Sequence, residues 1–141
     1  MKEHYVTYEQ SQILKRLGFK EETTHYYVNF KSDGEVKLWS CNPPENHNAR
    51  LSINEVCSAP RLDQAQKWLR EGKGIMIEPF ASIPDKMWAY RLYHTKGEKF
   101  GMTLVIPNKS IVVYEFNSYE LALSAGIDKA LELLTDKLTD K

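Results

Sequence analysis

Three segments of the chain carry apolar residues at the three- and four-residue spacing of an amphipathic helix. The first covers residues 8–17, and Thr7 with Gln10 has the pattern of a capping box at its start. The second begins near Pro60, and the third begins after Ser118 and continues to about residue 134. Gly126 interrupts the third helix, which indicates either a close backbone approach or simple tolerance of the glycine.

Between the helices, apolar and polar residues alternate as they do in half-buried strands. Asp33-Gly34 separates two such runs, which is a strong hairpin signal. Strands joined by short turns form antiparallel sheets, so we predict an α+β fold with one antiparallel sheet of about five or six strands and three helices packed on one face. The alternating runs are residues 25–30, 36–40, 75–78, 87–94, 102–106 and 111–116.

We predict a single domain over residues 1–141, with two irregular segments. Residues 41–58 contain Pro43-Pro44 and several asparagines, which predicts a long surface loop that is either functional or loosely ordered. In residues 135–141 the repeat of Leu-Thr-Asp-Lys stacks like charges four residues apart, so we expect the end of the last helix to fray.

Composition and charge exclude several classes of function. The chain has 141 residues with 19 Lys+Arg and 19 Asp+Glu, so it lacks the basic excess of most nucleic-acid-binding proteins. No apolar run approaches the roughly 18 residues of a membrane span. The first residues lack the apolar stretch of a signal peptide, and two cysteines do not make a disulfide framework. We therefore expect a cytoplasmic protein that binds neither membranes nor nucleic acid.

Cysteine and histidine are the residues that could carry chemistry. Cys41, His47 and Cys57 lie in or beside the segment 41–58, and His25 and His94 lie on predicted strands. The two cysteines are 16 positions apart without the close ligand pairs of a zinc site, so we predict no metal site and no cofactor. A Cys–His nucleophile pair needs a base beside the thiol, and no known nucleophile motif occurs here, so we assign no catalytic residue.

Aromatic residues on the predicted strands are the most unusual feature of the sequence. An aromatic sheet face that no helix covers is a candidate contact surface for a partner or ligand. The alternative is that these residues pair across strands and stabilise the sheet. Stacking on nucleic-acid bases is disfavoured because Lys37 and Arg91 are the only cations within these strands. The candidate contact residues are Tyr27, Trp39, Trp88, Tyr90 and Tyr93.

Several motifs taken together are similar to a family of small proteins of Bacteroides and related bacteria that prophages or mobile elements carry. They run in order from Val6–Gln10 and Leu17-Gly18-Phe19, through Ala59-Pro60, Ala65–Glu71 and Gly74-Ile75, to Ser118–Glu120 and Ala122–Ile127. All of them are helix caps, helix stripes and helix ends, and the pattern leaves out residues 41–58. The resemblance implies a bacterial or phage origin, and no catalytic or binding residue follows from it.

Three hypotheses about function remain. The first is a non-enzymatic phage or bacterial accessory protein that binds a protein partner, or a second copy of itself, through the aromatic residues or the segment 41–58. The second is a protein that binds a small ligand such as a nucleotide. The third is an enzyme that uses a cysteine or histidine of the segment 41–58. We favour the first, because the caps, turns and apolar stripes account for most residues of the chain.

Overall fold

A computed structural model describes residues 4–30, 34–49, 55–105 and 115–139. The chain divides into two compact units, Met1–Arg61 and Leu62–Lys141. Each unit consists of one or two helices packed with a small antiparallel sheet of its own.

The first unit has one helix and three strands. Helix α1 is Tyr8–Arg16, and the strands are β1 (Thr23–Phe30), β2 (Glu35–Glu45) and β3 (Glu55–Ser58). A single turn of 3-10 helix, His47–Ala49, follows β2. The strands pair antiparallel in the order β2-β1-β3, so β1 is the central strand and α1 contacts β3.

The ends of α1 follow from the sequence. The backbone N–H of Gln10 donates to Thr7 Oγ1 at 3.1 Å, and the backbone N–H of Thr7 donates to Gln10 Oε1 at 2.8 Å, so the predicted capping box is confirmed. At the other end Gly18 has φ +96°, a left-handed conformation that a side chain would disfavour. The backbone N–H of Phe19 then donates back to the carbonyl of Leu14 at 3.0 Å, which stops the helix.

The second unit has two helices and three strands. Helix α2 is Leu62–Lys73, and the strands β4 (Ile75–Ser82), β5 (Met87–His94) and β6 (Thr103–Val105) pair antiparallel in the order β4-β5-β6. Helix α3, Tyr119–Thr139, contacts β4 and β5, while α2 contacts β4 and α3. Helix α3 therefore covers one face of the central strand β5. Leu92 lies on this face and is fully buried.

Gly126 lies where α3 crosses the sheet. A Cβ atom at this position would overlap Cγ2 of Ile77 on β4 and would lie 3.3 Å from the ring of Tyr90 on β5. Ile77 is fully buried and β-branched, so it has little room to move away. The close backbone approach that the sequence suggested for this glycine is therefore present.

The predicted α+β class with three helices is confirmed, but the single sheet of five or six strands is wrong. The described residues form two three-stranded sheets, so the helices cannot all pack on one face of one sheet. Alternation identifies strands, and short turns identify neighbours within a hairpin, but neither specifies which hairpins join into one sheet. That choice depends on contacts between residues far apart in sequence.

Residues 41–58 contain more regular structure than a surface loop. Strand β2 continues through Cys41 to Glu45, and β3 occupies Glu55–Ser58. Residues 50–54 and most of the predicted strand 111–116 lie outside the described residues, although Phe116 forms an isolated bridge with Trp88. Helix α3 continues to Thr139, and the side chains of the predicted frayed end lie largely outside the description. Within the described ranges, no helix combines the length and the apolar composition that crossing a membrane requires.

Candidate functional site

Strand β2 is the most exposed regular element of the first unit. Among the described strands it pairs only with β1, so its other edge presents backbone N–H and C=O groups outward. All of its residues are exposed except Cys41, which is half-buried. Three of the exposed side chains are large and apolar: Val36, Leu38 and Trp39, with 39%, 42% and 47% of their surfaces accessible. We call residues 35–40 the open edge.

Helix α1 explains why one part of this sheet is covered and another is not. On β1 the ring of Tyr27 meets Tyr8 of α1 edge-on at 5.7 Å, and the Tyr27 hydroxyl donates to the carbonyl of Val6 at 2.6 Å. Burial raises the pKa of the Tyr27 hydroxyl. The neighbour of Tyr27 across the sheet is Leu38, which stays exposed. Tyr27 is thus covered by the segment that contains α1, whereas its neighbour on β2 is not covered.

Trp39 extends the open edge on the opposite sheet face. Its ring lies 6.4 Å from Tyr26 and 5.5 Å from Phe30, both on β1. The Lys37 ammonium lies 5.9 Å from the centre of the Phe30 ring, within the range of a cation–π contact. All five predicted contact residues are aromatic, and Trp39 has nearly half of its surface accessible.

The three candidates of the second unit have different surroundings. Tyr90 is buried against Phe116 and beside Gly126, and burial raises its pKa. Trp88 packs edge-on against Tyr119 at 5.5 Å.

Tyr93 is half-buried and lies in a small polar cluster on the outer face of β5. Its hydroxyl donates to Glu78 at 3.4 Å, and Glu78 also binds Arg91 at 2.8 Å. The five predicted residues therefore belong to two separate sheets, and their contacts are with helices or with neighbouring strands of the same unit. For most of them this favours the structural interpretation, in which aromatic residues stabilise the sheets.

The end of β2 brings together three side chains that sequence spacing did not connect. The thiol of Cys41, the carboxylate of Glu45 and the imidazole of His47 have ligand atoms within 4.8 Å of one another. Cys41 Sγ lies 3.3 Å from His47 Nε2. The register of β2 against β1 shifts here, because Ser40 faces His25 while Glu45 faces Thr23. Residues 41–44 therefore bulge from the sheet, which turns Cys41 towards the 3-10 turn that carries His47.

Hydrogen bonds from neighbouring strands hold this 3-10 turn in place. The backbone N–H of His47 donates to Ser58 Oγ at 3.1 Å, and the backbone N–H of Ser58 donates to Asn48 Oδ1 at 2.8 Å. The Asn48 amide also donates to the carbonyl of Phe19 at 2.8 Å. The His47 ring is fully buried and stacks on Tyr26 with 4.2 Å between ring centres. His47 is thus positioned by both the turn and the sheet.

The protonation of His47 limits what Cys41 can do. His47 Nε2 lies 3.0 Å from the carbonyl oxygen of Thr23, which can only accept a hydrogen bond, so Nε2 carries the proton. A protonated Nε2 cannot act as a base towards the Cys41 thiol 3.3 Å away. The Cys41 thiol itself has acceptors nearby, with the Pro43 carbonyl at 3.4 Å. This arrangement disfavours a nucleophilic Cys–His pair.

Cys57, the second thiol, lies in a different environment. It is 1% exposed, and burial raises its pKa to about 12, although the nearby Lys15 opposes the shift. A thiol that stays protonated is a poor nucleophile and a poor metal ligand. Cys57 therefore fits the interpretation of an ordinary buried thiol.

A shallow depression of about 530 Å³ in the first unit is lined by Gln12, Lys15, Arg16 and Glu55. Three of these side chains already bind within the protein, since Lys15 donates to the carbonyl of Val56 at 2.7 Å and Gln12 donates to Glu55 at 3.3 Å. A small ligand would have to break these contacts, so the depression does not by itself favour the small-ligand hypothesis.

Comparisons with protein-family models, with curated protein sequences and with solved structures find no match to this chain. The resemblance to small phage-borne proteins therefore stays a prediction, and the function is argued from the residues of the site.

Proposed function

We propose that this protein is a non-enzymatic interaction module whose open edge pairs with the same edge of a second copy of the chain. The observation that carries the proposal is the exposure of β2: its backbone edge and its apolar side chains Val36, Leu38 and Trp39 lie open together. Edge strands with exposed apolar residues are places where another strand can add to a sheet.

The charges of the open edge favour a second copy as the occupant. Glu35 and Lys37 flank Val36 and form an exposed ion pair with 3.5 Å between their charged atoms. In an antiparallel pairing with its two-fold axis at Val36, Glu35 of one copy faces Lys37 of the other, and the reverse contact forms by symmetry. Opposite charges directly across a strand pair are favourable, so the edge is complementary to itself.

The position of the two-fold axis and the prolines of β2 define the extent of this pairing. Pro43 and Pro44 have no backbone N–H, so they cannot continue a ladder of hydrogen bonds on the far side of Cys41. With the two-fold axis at Val36, residue 34 of one copy faces residue 38 of the other, so the proposed contact covers residues 34–38 and ends before these prolines. Two copies would form a sheet of six strands in which each β2 is no longer at the edge.

Charge reversal tests this proposal. We expect sedimentation to show self-association of the wild-type chain that Glu35→Lys and Lys37→Glu each weaken. Two cross-strand pairs change from attractive to repulsive, which amounts to about 1–3 kcal/mol, or about 10- to 100-fold in Kd. An equimolar mixture of the two variants places opposite charges across the axis again and should associate more strongly than either alone.

Ile83→Asp is the matched control, because Ile83 is 86% exposed but lies between β4 and β5. It should leave association unchanged, whereas Val36→Asp should abolish it. A chain that stays monomeric at every concentration, or that associates equally well in all variants, would contradict the proposal. Retained association in the two charge variants together with a loss in Ile83→Asp would move the contact to the second unit.

A further inference from the structure

We infer that Cys41, Glu45 and His47 form a binding site for a thiophilic divalent cation such as Zn²⁺. The three side chains offer a sulfur, a carboxylate oxygen and an imidazole nitrogen within 4.8 Å of one another. This inference is independent of the pairing of β2, since it rests on the bulge and the 3-10 turn that follow the open edge.

The distance between Cys41 and His47 suits a small tetrahedral ion, and the exposed Glu45 side chain can close the remaining gap. Zinc lies about 2.0–2.3 Å from nitrogen, oxygen and sulfur ligands, so neighbouring ligand atoms in a tetrahedron are about 3.3–3.8 Å apart. Cys41 Sγ and His47 Nε2 are 3.3 Å apart, at the short end of that range. Little movement of either side chain is needed for both atoms to bind one ion.

A backbone oxygen lies in the same place. The carbonyl oxygen of Thr23 is 3.0 Å from His47 Nε2 and 3.9 Å from Cys41 Sγ, so the three atoms form a compact triangle. This dipole favours a positive charge beside it. Glu45 completes the set from an exposed position, which leaves a route by which an ion and a water molecule can enter.

The ligand types select the class of metal. A thiolate and an imidazole favour Zn²⁺ and similar ions, whereas Ca²⁺ and Mg²⁺ prefer sites built from oxygen alone. The thiolate and the carboxylate together balance the two positive charges of the ion. The buried His47 ring is oriented by its stacking on Tyr26, so its freedom is lost on folding rather than on metal binding.

Binding also has a defined proton balance. Cys41 must lose its thiol proton to solvent, because the thiolate is the form that binds metal. His47 binds as the neutral imidazole, with its proton moved from Nε2 to Nδ1 and the hydrogen bond to Thr23 given up. One proton is therefore released for each ion bound.

Metal titration of the full chain tests the inference. Co²⁺ added to reduced, chelator-treated protein should give thiolate charge-transfer absorption in the near ultraviolet and the visible bands of a four-coordinate ion. Zn²⁺ should then displace Co²⁺ at one equivalent. Calorimetry in buffers of different ionisation enthalpy should report the release of one proton per ion.

Variants identify the ligands. Changes to residues around metal sites cost about 10- to 100-fold in affinity, so loss of a direct ligand in Cys41→Ser should cost more than about 100-fold and remove the charge-transfer band. Glu45→Gln, at an exposed position, should weaken binding by at least about tenfold and keep the band. Cys57→Ala is the matched control, because it removes the other thiol and should keep both the band and the affinity.

Folding of each variant is checked by circular dichroism, and Glu45→Gln keeps the test valid if the buried positions do not tolerate change. Absence of a charge-transfer band in the wild-type protein would overturn the inference. The same holds if Cys41→Ser binds Zn²⁺ as tightly as the wild type. Rapid alkylation of Cys41 near neutral pH without any metal binding would instead favour a reactive thiol.

Discussion

The two units begin with the same order of elements but differ in how completely their sheets are covered. In the second unit, α2 and α3 both pack on β4, α3 also packs on β5, and the central residue Leu92 is fully buried. In the first unit the nine-residue helix α1 lies over β3, and β2 stays exposed along most of its length. Both proposed contacts, the open edge and the metal site, belong to the less covered unit.

The sheets also differ in the order of their strands. The first strand after the helix is central in the first unit, where the order is β2-β1-β3, whereas the second strand is central in the order β4-β5-β6. Both units therefore share the order of a helix, a glycine and two strands along the chain, but this order does not specify which strand becomes central. The third strand of each unit decides the final sheet, because β3 adds beside β1, whereas β6 adds beside β5.

The largest expected effect comes from a comparison of two leucines. Both lie in alternating strand patterns of the sequence, but in the structure Leu92 is buried and Leu38 is exposed. Leu92→Ala removes a fully buried side chain and should lower the free energy of unfolding by about 2–5 kcal/mol. Leu38→Ala on the open edge should change it by less than about 0.5 kcal/mol. Urea unfolding followed by circular dichroism measures both, and equal losses would contradict the contrast between the two sheets.

The next effect concerns two glycines in the helices of the second unit. Gly126→Ala should destabilise the protein by about 1–3 kcal/mol, because the new methyl group meets the buried Ile77. Gly72→Ala is the control: its Cβ would come no closer than 4.0 Å to Trp68, so the better helix propensity of alanine should stabilise by up to about 1 kcal/mol. Thermal denaturation should separate the two variants in opposite directions.

The smallest effect is the loss of stability at alkaline pH that the buried Cys57 causes in the first unit. Its pKa rises from 9.0 to about 12 on folding, so above pH 9 the unfolded chain loses this proton while the folded chain keeps it. Stability is complete below pH 9 and falls as the pH rises towards 12, by at most about 1.4 kcal/mol per pH unit.

Cys57→Ala should make that slope shallower, and unfolding curves at pH 8 and pH 10 would show the difference. Burial also raises the pKa of Tyr8 and Tyr27, so part of the slope should remain. An identical slope with and without Cys57 would contradict the assignment.

Local patterns in the sequence predict much of this fold. The helices α1, α2 and α3 follow from apolar spacing, and Thr7 with Gln10 predicts the start of α1 correctly. Gly34 correctly predicts the turn between β1 and β2. Each of these signals lies within a few residues, so the chemistry of the segment alone is sufficient to specify it.

The candidate sites were harder to predict for two physical reasons. The exposure of β2 depends on which strands and helices pack beside it, and an alternating pattern does not distinguish an edge strand from a central one. Cys41 and His47 meet only because the chain bulges between Ser40 and Glu45 and then turns at His47. Prolines and asparagines in that stretch indicate a loop, and a loop pattern carries no information on which side chains converge.

Trp39 provides an intrinsic fluorescence signal from the open edge. The chain has three tryptophans, and Trp39 is the one that belongs to the first unit, with nearly half its surface in contact with water. Water around an indole shifts its fluorescence to longer wavelength, and exclusion of water shifts it back. The fluorescence wavelength of Trp39 should therefore report whether water is excluded from β2 in the proposed pairing.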